Sequence, residues 1–462
     1  MEDKARGLAA ALLVGLASYL ALPTSALAIT LRLSPNGVDD TPQLQAALES
    51  CAGAVTSCLI TLDRGTFRTN LLLVANFHGE IRGQGAGITI VQPVLGRYLR
   101  PSLRPFDAPP TLSAPYPALL HFTDGGTIAL TNLTLDFPSS MRVLNWYQKF
   151  WNTLMSAILV DGGADQRARL QMTGVEVLAR PCRKMVTLHS NVMAAVLFGG
   201  KQAWFPIASA VSLHTERLSG GDFTASNSYI QDTGIGFAVH DATHVDVHIF
   251  DNDIEHTRRN AVSTFDVGGS RVRVVDNRIA AEGTIINNYR GLQEVDAVRP
   301  PPSNEPSSFL IARNSITLTG LGDFGADPIN TTDWLGTTTT ENPNAGIDTW
   351  VIANNDIVLD VTGRAGGISV WGDRGHTLVA WNRIWGNVGL TRLGAVAIGI
   401  DHSVGTRTTQ NKFFDFPADR ETVALGRFTR ECTVIQPASI VMDNGQNNHI
   451  VAATEVRRTA PP

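Results

Sequence analysis

Three asparagines, Asn227, Asn252 and Asn277, recur at one even step, and each opens a short segment that ends on an apolar side chain: Asn-Ser-Tyr-Ile, Asn-Asp-Ile and Asn-Arg-Ile. The beat continues at wider intervals through Asn314-Ser-Ile, Asn355-Asp-Ile, Asn382-Arg-Ile and Asn411-Lys-Phe. Upstream, Val186-Thr-Leu-His-Ser and Val211-Ser-Leu-His-Thr repeat at the same step. A unit this short buries an apolar face only by stacking on its neighbours, so the pattern points to a solenoid. The segments between the asparagines, such as Val245-Asp-Val-His-Ile and Phe309-Leu-Ile-Ala, are short, β-branched and bounded by Gly, Asn and Asp. They read as strands. An amide both donates and accepts, so Asn at one position of every coil builds a hydrogen-bonded column along the axis.

A solenoid grows by adding coils, so 462 residues need not mean two or three separate cores. The net charge of −5 argues against a general nucleic-acid binder. The segment Met1–Ala28 has the layout of a secretory leader: Lys4 and Arg6, an apolar run from Gly7 to Leu22, then Ala26-Leu27-Ala28. Cleaved, it implies a secreted protein with no membrane attachment; uncut, it is an anchor. Export permits disulfides, and Cys51 with Cys58 is the expected pair, leaving Cys182 and Cys432 as buried thiols.

From Asn36 the register changes. Thr41 reads as a helix cap with Pro42 in the first turn, and Leu44, Ala47 and Leu48 form the apolar set of a short helix. The run Gly37-Val-Asp-Asp-Thr-Pro followed by Leu44-Gln-Ala-Ala-Leu, then Leu62-Asp-Arg-Gly-Thr-Phe, then Ile81-Arg-Gly-Gln-Gly, resembles the N-terminal cap of the pectate-lyase-like superfamily. The Asn-x-Ile coils resemble its repeat. The resemblance implies an all-β chain, a right-handed single-stranded parallel β-helix with a short N-terminal capping helix. Residues 29–120 would hold the cap and first coils, 121–450 the helix with loop insertions, and 451–462 a tail. The superfamily spans polysaccharide lyases, glycoside hydrolases, uronan epimerases and non-catalytic adhesins, so its fold does not name an activity. Gly236-Phe-Ala-Val-His-Asp resembles the Gly-Phe-Asp-Pro-His-Glu segment of alginate epimerases, with Ala238 where those have Asp.

Alternation along the strands places Val186, Leu188, Val211, Leu213, Phe237 and Val239 inward, which turns His189, His214 and His240 outward as a column on consecutive coils. Asp161 extends that column one coil earlier. Glu216, Asp241 and Asp266 stand at one shared offset before Asn227, Asn252 and Asn277 and form a second column. Three acids that close either hold a proton between them or share a hard cation, which makes them a candidate Ca2+ set; they are equally ordinary turn residues. Lys184 and Arg259 precede strands of the same patch. Elimination from a uronic acid needs a base at C5 and a cation on the carboxylate, for which His240, His214, Lys184 and Arg259 are candidates. Hydrolysis needs two carboxyls, among which Asp241 would serve.

Excursions at Arg100–Pro117, Arg142–Trp151, Tyr289–Ser308 and Leu321–Gly346 are read as loops on the rod. Trp146, Tyr147, Trp151 and Trp204 sit in loops beside the same coils, where flat rings stack on sugar faces. Trp350, Trp371, Trp381 and Trp385 are expected in the core. The expected partner is therefore a polysaccharide, cleaved by β-elimination ahead of hydrolysis, and the contrasting reading is a non-catalytic envelope or adhesion rod.

Overall fold

The computed structural model describes residues 29–53, 58–94, 98–99, 118–138, 142–143, 155–163, 166–179, 192–200, 202–204, 212–214, 217–257, 260–282, 286–289, 305–320, 327–331, 348–361, 366–373, 377–386, 396–416, 421–437 and 439–458. The leader-like segment, Cys182, Lys184, His189, Glu216, Arg259 and the aromatic loop Trp146–Trp151 lie outside them.

Among the described residues the regular structure, apart from one helix, is strands, and those that build the rod pair in parallel with the equivalent strand one coil on. Each full coil contributes three faces. On the first, Ile158, Val196, Phe237 and Val262 succeed one another from coil to coil. On the second, Met172, Ala225, Ile249 and Val274 do so. On the third the sequence runs Val177, Ile230, Ile254 and Ile279. All of these point inward and are buried, so one continuous apolar core runs along the axis. Aromatic stacks such as Phe309 on Trp350, 4.0 Å between centroids, extend it.

The corner from second to third face is the fixed part of the frame. Two residues separate the strands there in coil after coil, as between Thr173 and Glu176, Phe250 and Asp253, or Ala353 and Asp356. The first of the two takes a left-handed backbone: φ is 53° at Asp251, 58° at Asp276 and 56° at Asn354, residue types that tolerate that conformation. The second is the buried ladder residue. Asn277 donates from Nδ2 to Asn314 Oδ1 (3.0 Å) and to the Ile249 carbonyl (2.9 Å), while the Asn314 Oδ1 also accepts the Asn277 backbone N–H (3.0 Å). Asn314, Asn355 and Asn382 repeat the arrangement, and Gln436 closes the series by accepting the Asn411 N–H, while Asn411 Nδ2 donates to the Val379 carbonyl and Thr408 Oγ1.

The expected first rung is one residue out. Asn227 is exposed and left-handed (φ 49°), and Ser228 takes the ladder position, its N–H donating to Asn252 Oδ1. The true step there is 24 residues, so the even spacing of three asparagines was a coincidence of one corner residue and two rungs.

At the N-terminal end the helix Thr41–Ser50 seals the core with Leu44, Ala47 and Leu48. Its cap is Asp40 and not Thr41. The Asp40 carboxylate is buried, accepts the backbone N–H groups of Asn36 and Arg68 (2.8 Å each), and so ties the helix to the first coils. Cys51 and Cys58 form the expected disulfide, and Cys432 is a buried thiol, its pKa pushed up to about 11 by burial.

Candidate functional site

Where the coils lengthen is the first guide to function. Among the described coils from Thr131 onward the second-to-third corner does not; an earlier one, Arg82 to Thr89, is longer. The longer connections fall on either side of the first face: before it between Phe137 and Met155 and between Ala179 and Val192, and after it between Gly200 and Leu218, Tyr289 and Ser308, and Asn330 and Thr349. Excursions that flank one face of a solenoid mark the face that carries function.

Outward side chains of this face stand in two columns. The first carries His121, Leu159, Leu197, Ala238 and Ser263 on successive coils. The second carries Asp161, Gly199, His240 and Phe265. Although they lie outside the rod, Leu159, Leu197 and Ala238 are buried and join Ala118 and Ile235 in a second apolar cluster. Beside that cluster His121 Nε2 lies 2.9 Å from Asp161 Oδ2, with the two side chains only 6% and 4% exposed. A carboxylate can only accept, so in a hydrogen bond to ionised Asp161 the hydrogen is carried by Nε2. Such a contact in a poorly solvated setting holds the ring in one orientation. The other carboxylate oxygen, Oδ1, has no hydrogen-bond partner among the described residues.

His240 projects from the same column as Asp161, two coils further on, half-buried and with its ring 5.8 Å from that of Phe265. Gly199 stands between them. A Cβ there would overlap the His240 carbonyl oxygen, so the position cannot carry a side chain without moving the strand. Asp161 with His121 and, two coils on, His240 thus flank the buried Gly199, their backbones roughly 10 Å apart, twice the strand spacing.

The expected histidine column is not formed. His214 lies in the antiparallel strand pair Gln202–Trp204 and Ser212–His214, with Gln202 opposite it, off the stacked faces. His189 falls outside the described residues, and the neighbours of His240 are Gly199 and Phe265. The reason is coil length: 53 residues separate Thr173 from its partner Ser226, so the shorter step between His189 and His214 is not one coil. Asp161 does share the column of His240, as expected. Asp241 corrects the acid column: it is fully buried, at a left-handed corner (φ 48°), not facing solvent beside the histidines. Its backbone stands level with Asp266, since His240 pairs with Phe265 and Ala242 with Val267. Glu216 of the expected Ca2+ set lies outside the described residues; among those residues no three His, Cys, Asp or Glu side chains converge as a metal site, and no step below is routed through a metal. Ala238, fully buried, stands at the outward position where the epimerase segment has Asp.

His121 was not singled out by the sequence. Its signal was faint, a lone histidine in the apolar run Ala118-Leu-Leu-His-Phe, and its tie to Asp161 spans 40 residues that include an excursion. Further along the same face, Trp371, His402 and Phe428 stack at 4.6 and 4.4 Å, with Arg427 over the last ring. Of the tryptophans expected in the core only Trp350 is buried there; Trp381 is 49% exposed, and Trp371 and Trp385 are half-buried. Trp385 instead stacks on Phe414 at the surface of the third face.

Neither a protein-family model nor a curated protein sequence matches the chain. Solved structures do. The A-module of the Azotobacter vinelandii mannuronan C-5 epimerase AlgE6 is 14% identical, covers 92% of this chain and 97% of its own, and superposes with a TM-score of 0.51. Looser superpositions are found with a Yersinia enterocolitica family 28 exopolygalacturonase (12% identity, 89% and 79% covered, TM-score 0.46) and an Arthrobacter chlorophenolicus DFA-IIIase (14%, 93% and 99%, 0.41). At such identities the likeness is one of architecture. In fold, this chain is a parallel β-helix, the architecture it has in common with the epimerase A-module.

Proposed function

We propose that the protein cleaves an acidic polysaccharide laid along the first face, by β-elimination. One observation carries this reading: the face flanked by the long connections holds a buried imidazole–carboxylate contact and, two coils along the same column, a second imidazole. The architecture it shares with carbohydrate-active enzymes, a C-5 epimerase among them, supports a saccharide on that face. In this scheme a uronate unit is presented to His240 on the first face. His240 takes the proton from C5, the electron pair becomes the C4–C5 double bond, and the C4–O bond breaks. His121, oriented by Asp161, delivers a proton to the departing oxygen. Arg259, immediately before the strand Asn260–Gly268, and Lys184 are the cations assigned to the uronate carboxylate. The leader-like segment Met1–Ala28 supports action outside the cytoplasm.

The test is incubation with uronic-acid and neutral polysaccharides, following unsaturated-uronate absorbance and reducing ends in parallel. Both signals should rise together on a polyuronate, and His240→Ala should lower the rate by about 100-fold or more, the size of a lost general base. Reducing ends without absorbance would replace elimination by hydrolysis. No turnover of any substrate would favour a non-catalytic rod.

A further inference from the structure

Where the first face turns into the second, an open cleft of about 440 Å3 is lined by Arg167, Asp222, His244, Asp246, Arg271 and Ser308. The coils around it follow one rule: an outward arginine meets an acid on the coil before or after. Arg169 pairs with Asp222 (2.7 Å), Arg273 with Asp246 (2.9 Å) and Arg313 with Asp276 (2.6 Å). Arg167 and Arg271 break the rule. Both are exposed, both line the cleft, and neither has an ion pair or side-chain hydrogen bond among the described residues. The cleft's own acids are already matched to Arg169 and Arg273, and His244 Nε2 meets Glu305 at 2.6 Å. What remains uncompensated is positive.

The arrangement is also built for a chain running along the rod. Asp246, Arg271, Ser308 and Thr349 occupy one outward column on successive coils, so a guanidinium is followed by two hydroxyls at steps of roughly 4.8 Å. Glycines keep the recess open. A Cβ at Gly269 would run into the Glu305 carboxylate and press on the His244 ring, and one at Gly220 would meet Arg167 Nε at 2.9 Å.

We propose that this cleft is a second saccharide-binding site, selective for a sugar unit bearing a carboxylate or sulfate and distinct from the first-face site. Arg167 and Arg271 grip the anion through their planar forks, and Ser308 and Thr349 take hydroxyls of the following units. His244 lies four residues beyond His240 on the strand Ile235–Phe250, at most roughly 13 Å of extended chain away, so an acidic glycan held here stays beside the first face. The inference shares with the proposed elimination only the acidic character of the glycan.

The experiment uses a sulfated glucan oligosaccharide, which contains no uronate to eliminate, with its unsulfated counterpart as control, each titrated calorimetrically into the full-length protein. Wild type and His240→Ala should bind the sulfated glucan equally, and neither should bind the unsulfated one. The double variant Arg167→Ala/Arg271→Ala should bind at least tenfold more weakly with an unchanged thermal midpoint. Arg167→Lys/Arg271→Lys, which keeps both charges but not the fork, should fall between. Undiminished binding by the alanine variant overturns the proposal, as does equal binding of the unsulfated glucan, loss of binding in His240→Ala, or no binding by wild type. A wild type that binds the sulfated glucan but never turns over a polyuronate would refute the elimination and leave this site standing.

Discussion

His248 shows how much a single outward position is governed by its neighbours on adjacent coils. It stands on the second face, half-buried, with its ring 4.3 Å from that of Phe250. Burial first, and then the Arg273 guanidinium, hold its pKa below the ordinary 6.5, while Asp246, Asp251 and Asp276 pull weakly the other way. The fold therefore favours the neutral ring. The stabilisation is fully present above pH 6.5 and is lost as pH falls through the depressed folded value, because the unfolded chain takes up the proton first. Thermal melts between pH 7 and pH 5 should show the midpoint falling, and His248→Gln should flatten part of that fall; an identical slope in the variant would remove His248 as its cause. The same neighbourhood logic explains which site residues the sequence disclosed. Strand alternation was enough to turn His240 outward and Phe237 and Val239 inward. It could not reveal that Asp241, one residue on, turns at a left-handed corner and is buried, nor that Gly199 and not His214 is the neighbour of His240.

The element that fixes everything else is the second-to-third corner. Each buried ladder amide satisfies two neighbouring coils at once, so its loss strands groups that water cannot reach. Asn355→Ala removes the acceptor of the Asn314 N–H and of the Asn314 side chain, and both donations from Asn355 itself. The expected cost is about 2–4 kcal/mol, from buried groups left unpaired at roughly 1–3 kcal/mol each, read as a shift in denaturant midpoint at constant slope. A change smaller than the net worth of one ordinary hydrogen bond would mean that water replaces the amide, contrary to its burial. This corner was legible because its chemistry is local: an Asn or Asp that accepts a left-handed backbone, then an amide, then an apolar strand. The error at Asn227 has the same origin, since either of the two corner positions favours Asn. The first face had no comparable signature. Its strands are set apart by connections of every length, and register across them depends on coils that no fixed step predicts.

At the scale of the whole molecule, a rod must close the end of its core. Helix Thr41–Ser50 does so, anchored by Asp40 and by Gln45, whose side-chain amide donates to the Leu73 carbonyl (2.7 Å). The Cys51–Cys58 disulfide secures the chain where it leaves the helix for the strand Cys58–Leu62. Closing so small a loop is worth about 2 kcal/mol. Cys51→Ser/Cys58→Ser should accordingly lower the thermal midpoint and, by loosening the seal over apolar side chains and strand edges, raise the fraction of self-associated species in light scattering. A variant that melts lower but stays monodisperse would show that the helix holds its place without the bond.

One property of the frame reaches beyond this chain. Consecutive rungs are joined by as few as 24 residues at Ser228 to Asn252 and by 41 at Asn314 to Asn355, yet the rung geometry is unchanged, at 3.0 Å or close to it. Doubling a connection adds only about 0.6 kcal/mol of closure entropy, less than a single buried hydrogen bond returns. Scaffold and specificity are thus written in separate parts of the text, so a lineage can exchange the segments bordering the first face, and with them what that face binds, without renegotiating how the molecule folds.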